Sequence, residues 1–457
     1  MEPEAALRAR CTEAVVALAA LAMRGGGDSD AVASEADVAS AVTPALASLL
    51  RETERASSDE LSPDQKQKQL RRWMPSALLV CACVTCGRLP STERAHSDAE
   101  KALAQCEALV GASSRAELLA RFAAPLVALC SQSCSKDEWV DRRSLPKHAL
   151  CWVVLQLPFP HLGGDLLGRL LALVFPLIDD LSNESQAVGA SMLQHVVRSV
   201  TATELRWYGD VLLEVLRPAI TSRQPETLDA LLDALTTALD KLSPPGEFAH
   251  FDTFFPRLLT DASLCTDVSV RALFLRRLRP AIVRMGAPQS VHVIRYLQPL
   301  LKVVVASFES INVPLLLEAL ETLRVTIRSA WPRVPAHAEE IFVGVMRAVA
   351  FCEVFDAGAG SSAAAPHERE QLLARCEHLL LLLADVSACS GSRPEPAGGV
   401  DCGSESGDVP SSPVERMLQE VSTASAALRP FCGRMAKILA SEQQQQQQQA
   451  LDSPWSV

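Results

Sequence analysis

Four prolines set the rhythm of this chain. Pro176 in FPLIDD, Pro218 in RPAITS, Pro256 in FPRLLT and Pro299 in QPLLKV lie about 42, 38 and 43 residues apart. Each is followed by a short polar gap and then by a run with helical periodicity. The first is the fullest example. From Leu170 the sequence is apolar to Ile178, breaks at Asp179, Asp180, Ser182, Asn183, Glu184 and Ser185, and resumes as an amphipathic run through Val188, Met192, Val196 and Val200. That pattern predicts helix, turn and helix. Asp180, Ser182 and Asn183 offer short acceptors able to cap the second helix, and Pro176 is expected to tilt the first near its end. Leu228, Leu231, Leu232, Leu235 and Leu239 make one stripe over 226–241, and Leu316, Leu320, Leu323 and Ile327 another over 313–330. One such hairpin cannot bury its own apolar face, so successive hairpins must lean on one another.

The spacing is near the ~40–47 residues of HEAT-type repeats. Apolar residues make up 48% of the 457 and aromatics only 5%, a choice that favours helix formers over the residues that fill sheets. The reading is therefore all-α, an α-solenoid of degenerate HEAT-like repeats. Residues 1–140 read as an N-terminal helical segment, with helices over 1–24, 35–55, 97–111 and 114–132. The strongly charged 53–72 reads as a solvated loop or surface helix ahead of the apolar block 73–89. Residues 141–355, starting with a helix over 144–157, are the expected repeat core. Residues 356–440 are expected to hold further helices around a disordered insertion at about 390–413, and 441–457 a Gln-rich disordered tail.

Chemistry is sought and mostly not found. The chain has no GxxxxGK[ST], no strand-linked GxGxxG, no HExxH and no GxSxG, so nucleotide-driven and zinc-peptidase mechanisms lack their parts and no cofactor is implied. The net charge of −11 argues against a phosphate-backbone binder. No window reaches the ~20 apolar residues of a membrane span, and Glu2, Glu4 and Glu13 are wrong for a secretory leader. Cys130, Cys151, Cys265, Cys352 and Cys376 sit singly on apolar faces, as reduced intracellular thiols do; the expected setting is cytoplasmic or nuclear. Cys81, Cys83 and Cys86 invite a metal reading but lack a second ligand pair at suitable spacing, so buried helical thiols are the better one. Asp179 and Asp180 read as turn formers that could also present charge to a partner. His195 reads as a packed or surface histidine with no nucleophile beside it. Trp331, ahead of Pro332 and Arg333, closes a stripe helix at a repeat edge, where indole is either core or a partner anchor. Arg271, Arg276, Arg277, Arg279 and Arg284 make 268–285 basic, either a solvated face or a groove for an acidic partner.

Three segments carry a resemblance: KHALCWVVLQLPFPHL (147–162), FPLIDDLSNESQAVGASMLQHVV (175–197, with Asp179, Asp180, Gly189 and His195) and RSAWPRV (328–334, with Trp331, Pro332 and Arg333). In this order and at these separations they resemble the Tel-two-interacting protein two family, the smallest subunit of the Triple-T co-chaperone complex, over about 147–350. The resemblance implies a non-enzymatic helical-repeat scaffold. It implies a direct partner in the larger Tel-two-interacting subunit, chiefly through the C-terminal repeats, and association with the telomere-maintenance factor Tel-two. It further implies indirect work with the ninety-kilodalton heat-shock chaperone and its adaptor on phosphatidylinositol-kinase-related kinases of growth and DNA-damage signalling, with no nucleic acid and no membrane bound directly. The competing readings are another HEAT-like adaptor, such as a transport receptor, and an enzyme using Cys and His.

Overall fold

The computed structural model of the chain describes residues 3–24, 34–58, 63–90, 92–132, 135–141, 144–222, 224–287, 291–354, 366–391 and 412–451. All regular secondary structure among them is helical, in two compact units, Met1–Leu242 and Ser243–Val457.

The first unit begins with α1 (Pro3–Arg24), α2 (Glu35–Ser58), α3 (Pro63–Thr85), α4 (Glu93–Val110), α5 (Arg115–Gln132), α6 (Lys136–Val140) and α7 (Leu145–Leu155). It continues with α8 (Asp165–Ile178), α9 (Asn183–Ser199), α10 (Ala202–Arg206), α11 (Gly209–Ala219) and α12 (Pro225–Leu242). Local chemistry sets several boundaries. Thr92 caps α4 by accepting from the Ala95 amide at 3.1 Å, and Gly111 ends it in the left-handed region at φ 64°, which costs glycine little. Ser135 and Thr201 form reciprocal capping boxes with Glu138 and Glu204 at the starts of α6 and α10. Among the described residues the charged stretch 53–72 is divided between the end of α2 and the start of α3, whose later part is fully buried through Trp73, Met74, Leu78 and Cys81. A polar start and an apolar end thus share one helix, because α1, α4, α5 and α7 all pack against α3.

The second unit holds α13 (Ala249–Leu264), α14 (Val268–Gly286), α15 (Val291–Ile294), α16 (Leu297–Ser307), α17 (Val313–Ser329), a 3-10 turn (Val334–His337), α18 (Ala338–Val354), α19 (Pro366–Gly391), α20 (Pro413–Ala424) and α21 (Arg429–Leu451). Where a disordered tail is expected from residue 441, α21 instead continues through the Gln tract to Leu451. Gln is a good helix former and simply extends the register of 429–440. Of the insertion expected at about 390–413, residues 392–411 lie outside the described residues, as do 355–365 and 452–457.

The repeat rhythm has a structural origin. Pro176, Pro218, Pro256 and Pro299 all sit in the first helix of a pair, in α8, α11, α13 and α16. Their second helices are α9, α12, α14 and α17. First helices pack on first helices and second on second: α8 on α11 and α9 on α12 in one unit, α13 on α16 and α14 on α17 in the other, where α18 and α19 extend the two layers. This is an all-α solenoid of HEAT-like pairs. The leucine stripe of α12 and the stripe of α17 face into it, every named member no more than 1% exposed. Each such leucine contributes roughly 1.5–3 kcal/mol by leaving water, so neighbours hold each pair more firmly than its own turn does.

Candidate functional site

The α8–α9 hairpin carries four of the residues singled out above. Asp179 ends α8, its amide donating to the Phe175 carbonyl at 3.1 Å, and its side chain is exposed. The expected side-chain cap on α9 is not formed. Ser182 stands at the N-cap position in extended conformation without a side-chain cap bond, and Asp180 contributes its backbone carbonyl, which accepts from Gln186 Nε2 at 2.9 Å. The turn closes through backbone and glutamine, leaving the carboxylates of Asp179 and Asp180 outside the helix start. Between them and Ser182, Leu181 is 97% exposed.

Gly189 faces the end of α8. A Cβ there would lie 2.9 Å from Leu177 Cβ and 3.1 Å from the Ile178 amide nitrogen, so the residue after the turn that meets LID must be glycine for the two helices to approach this closely. His195 is also structural: its Nε2 lies 2.8 Å from the Leu157 carbonyl just past α7. Two of the four hairpin residues therefore hold the fold, and the two aspartates face outward or line the turn.

The hairpin is held by a residue whose role sequence reasoning missed. Lys147, fully buried, donates to the carbonyls of Asp141 at 2.6 Å and Val140 at 3.3 Å and to Ser185 Oγ at 2.7 Å. Ser185 in turn donates to the Val140 carbonyl at 2.8 Å. One ammonium thus fastens the α6 end and α7 to the first turn of α9. Burial pulls its pKa down to about 8, partly opposed by Glu184, Asp180 and Asp141 nearby. A lysine heading an apolar run, KHALCWVV, is the signal that could have found it. At the other end of α9, Lys241 from α12 donates to the carbonyls of Val197, Arg198 and Val200 at 2.6, 2.9 and 2.6 Å, a cap supplied by the neighbouring repeat. Asp233, 6% exposed, pairs with Arg198 at 2.7 Å and accepts from Gln194 at 3.0 Å.

In the second unit, Trp331 follows the end of α17 and is 48% exposed; Pro332 and Arg333 are exposed beside it. Val334 is the buried member of WPRV, at 0%. The core alternative for the indole is thereby reduced to partial packing. The α14 arginines are not a simple solvated face. Arg276 pairs with Glu318 of α17 at 2.8 Å, Arg279 pairs with the same carboxylate, Arg271 donates to the Cys265 carbonyl at 2.6 Å and Arg284 to the Ser243 carbonyl at 3.1 Å. Titratable groups do converge at Asp252, which accepts from Tyr296 Oη at 2.5 Å and lies 2.6 Å from His292 Nε2 and 3.4 Å from Arg295. That cluster fastens α13 to α15 and α16, and Phe248 stacks on the imidazole at 4.3 Å.

Burial pushes the thiols of Cys11, Cys106 and Cys151 up to about 12 and raises those of Cys81, Cys83 and Cys376 as well, which leaves these six with little nucleophilicity. Among the described residues no group of three His, Cys, Asp or Glu could hold a metal ion, and no helix is long and apolar enough to cross a membrane.

No family model matches the chain. Its fold is similar to that of Kap121p bound to RanGTP and of Kap121p bound to Pho4p, each with TM-score 0.50 and 13% identity over 88% of this chain and 37% and 38% of those chains. At that identity the likeness concerns the fold alone. By sequence it is 25% identical over 234 residues to human TELO2-interacting protein 2, covering 48% of this chain and 44% of that protein. The mouse protein of the same name is 24% identical over 247 residues, covering 51% and 46%. The chain spans somewhat under half the length of the curated relatives it matches. Its homologues are thus proteins named TELO2-interacting protein 2, in agreement with the resemblance carried by its LIDD, LQH and WPRV segments.

Proposed function

We propose that this chain is a non-enzymatic scaffold subunit of the Triple-T co-chaperone complex. The observation that carries the reading is the similarity to TELO2-interacting protein 2 over about half the chain. Stacked helical pairs suit the role, since they present a long surface and their polar groups serve packing more than chemistry. On this reading its direct partner is the larger Tel-two-interacting subunit, met chiefly by the C-terminal repeats. Tel-two completes the trio, and the heat-shock chaperone, its adaptor and the phosphatidylinositol-kinase-related kinases are reached through that assembly, in cytoplasm or nucleus.

The surface residues best suited to partner contact are Asp179 and Leu181 at the hairpin tip and Trp331, Pro332 and Arg333 at the α17 edge. Exposed aromatic and arginine side chains are the types that dominate interface energetics. Gly189, His195 and the Asp180 backbone act within the fold. Affinity purification of the tagged full chain under mild lysis, read by mass spectrometry, tests the proposal. Recovery of Tel-two and the larger subunit is expected; recovery of neither overturns it, and a small GTPase with transport cargo in their place would favour the transport-receptor reading.

A further inference from the structure

We propose that the second-helix face formed by α14 and α17, extended by Arg375 of α19, binds an acidic segment of a partner polypeptide. The two helices pack side by side, and along this seam Arg276, Arg279, Arg324 and Arg328 stand with two acids, Glu318 and Glu321. Both acids are already engaged. Glu318 is held by Arg276 and Arg279, and Glu321 by a two-toothed contact from Arg324 at 2.5 and 2.9 Å. Arg375 donates to the Leu317 carbonyl at 3.2 Å, which sets its guanidinium beside the same carboxylates.

Arg276, Arg279 and Arg324 thus share two carboxylates with Arg375 held close by, and the four guanidiniums lie near enough to repel one another. Arg279 is lowered to about 10, chiefly by burial, with Arg276, Arg375 and Arg324 adding to the effect against the pull of Glu321. Arg276 remains 54% exposed at its side chain, and Arg328 and Arg375 are exposed. In a chain of net charge −11 this is a local excess of positive charge, oriented by its own glutamates and complementary to carboxylates, which match the guanidinium fork. A polypeptide suits it better than a nucleic acid. The one aromatic side chain of α14 and α17, Phe274, is buried at 4% and offers no stacking platform, and the overall negative charge opposes a long polyanion.

The inference rests on the scaffold reading only in taking the ligand to be a protein. Its test uses the purified full chain and a fluorescein-labelled oligoglutamate peptide, read by anisotropy, with an oligolysine peptide and a single-stranded oligonucleotide alongside. Saturable binding of oligoglutamate is expected, weakened several-fold as ionic strength rises from about 0.05 to about 0.3 M. Arg328→Glu is expected to weaken it about threefold and Arg328→Glu with Arg375→Glu about tenfold, each reversal replacing an attraction by a repulsion. Circular dichroism and melting confirm that both variants stay folded, and the single variant, whose site lies on the exposed face, keeps the test open if the double one does not. No binding by the wild type, undiminished binding by a folded variant, or tighter binding of the oligonucleotide overturns the proposal. Loss of Triple-T companions with oligoglutamate binding intact would instead count against the complex and leave this site standing.

Discussion

The second helices of the two units solve one packing problem with opposite charge. In the first unit α9 and α12 carry Glu184, Glu226, Asp229, Asp233 and Asp240 against Arg198 and Lys241; in the second, α14 and α17 carry seven arginines against two glutamates. Both seams bury leucine stripes and cross-link helices with polar side chains. The first turns its bonds inward, with Lys147 and Lys241 donating only to carbonyls and a hydroxyl of the fold. The second keeps Arg276 and Arg328 exposed on its outer side, close to an end where Trp331 stands out. Apolar spacing decides how helices stack, and the residues left between the stripes decide what a unit can meet.

The sharpest way to break this contrast is at Lys147. Truncation by Lys147→Ala removes the donor to Ser185 and one of the two donors to each of the Val140 and Asp141 carbonyls, and opens a cavity; it is expected to cost about 3 kcal/mol in urea unfolding, and a cost near zero would mean that the first unit is not locked as described. The same residue gives a pH signature. Its folded pKa is about 8 and its ordinary value 10.5, so between those values the unfolded chain binds the proton and the folded chain does not. Stability contributed at this site is lowest below pH 8 and rises toward pH 10.5, a slope expected in the wild type and missing in Lys147→Met. Gly189→Val is expected to cost about 2 kcal/mol, since even its Cβ lies 2.9 Å from Leu177.

In the second unit, Thr322 is fully buried, its hydroxyl shared between the carbonyls of Glu318 at 2.8 Å and Leu275 at 3.0 Å and accepting from Arg279 Nε at 3.2 Å. Thr322→Val should cost about 1 kcal/mol by chemical denaturation, less than Lys147→Ala because one hydroxyl is lost in place of a three-bond anchor. Smallest are the outward residues. Asp180→Lys and Trp331→Ala are each expected to change stability by no more than about 0.5 kcal/mol, and a larger loss of melting temperature would move that residue from contact to core.

Helical pairing was legible because it rests on spacing. Leu228 to Leu239 and Leu316 to Ile327 recur at helical intervals, and proline marks the first helix of successive pairs. The bonds of the turn were less so. Asp180, Ser182 and Asn183 suggest a side-chain cap on α9, yet the turn satisfies itself through Gln186 and the backbone. Lys147 has no role legible in the KHALCWVV motif, because its acceptors come from residues 140, 141 and 185 and meet only in the fold. The arginines of α14 read as either solvated or partner-facing, and neither reading anticipates Glu318, because the partners of Arg276 and Arg279 lie some forty residues away on α17 and meet them only in the fold.

The scaffold reading is tested most directly by quantitative co-purification of the Triple-T companions with full-length wild type and with Trp331→Ala, alongside the melting temperature of each. The expected result is recovery of Tel-two and the larger subunit with the wild type and a clear loss with the variant at unchanged melting temperature. Companions absent from the wild type would contradict the scaffold role itself, and undiminished recovery with the variant would contradict the placement of its contact at the α17 edge.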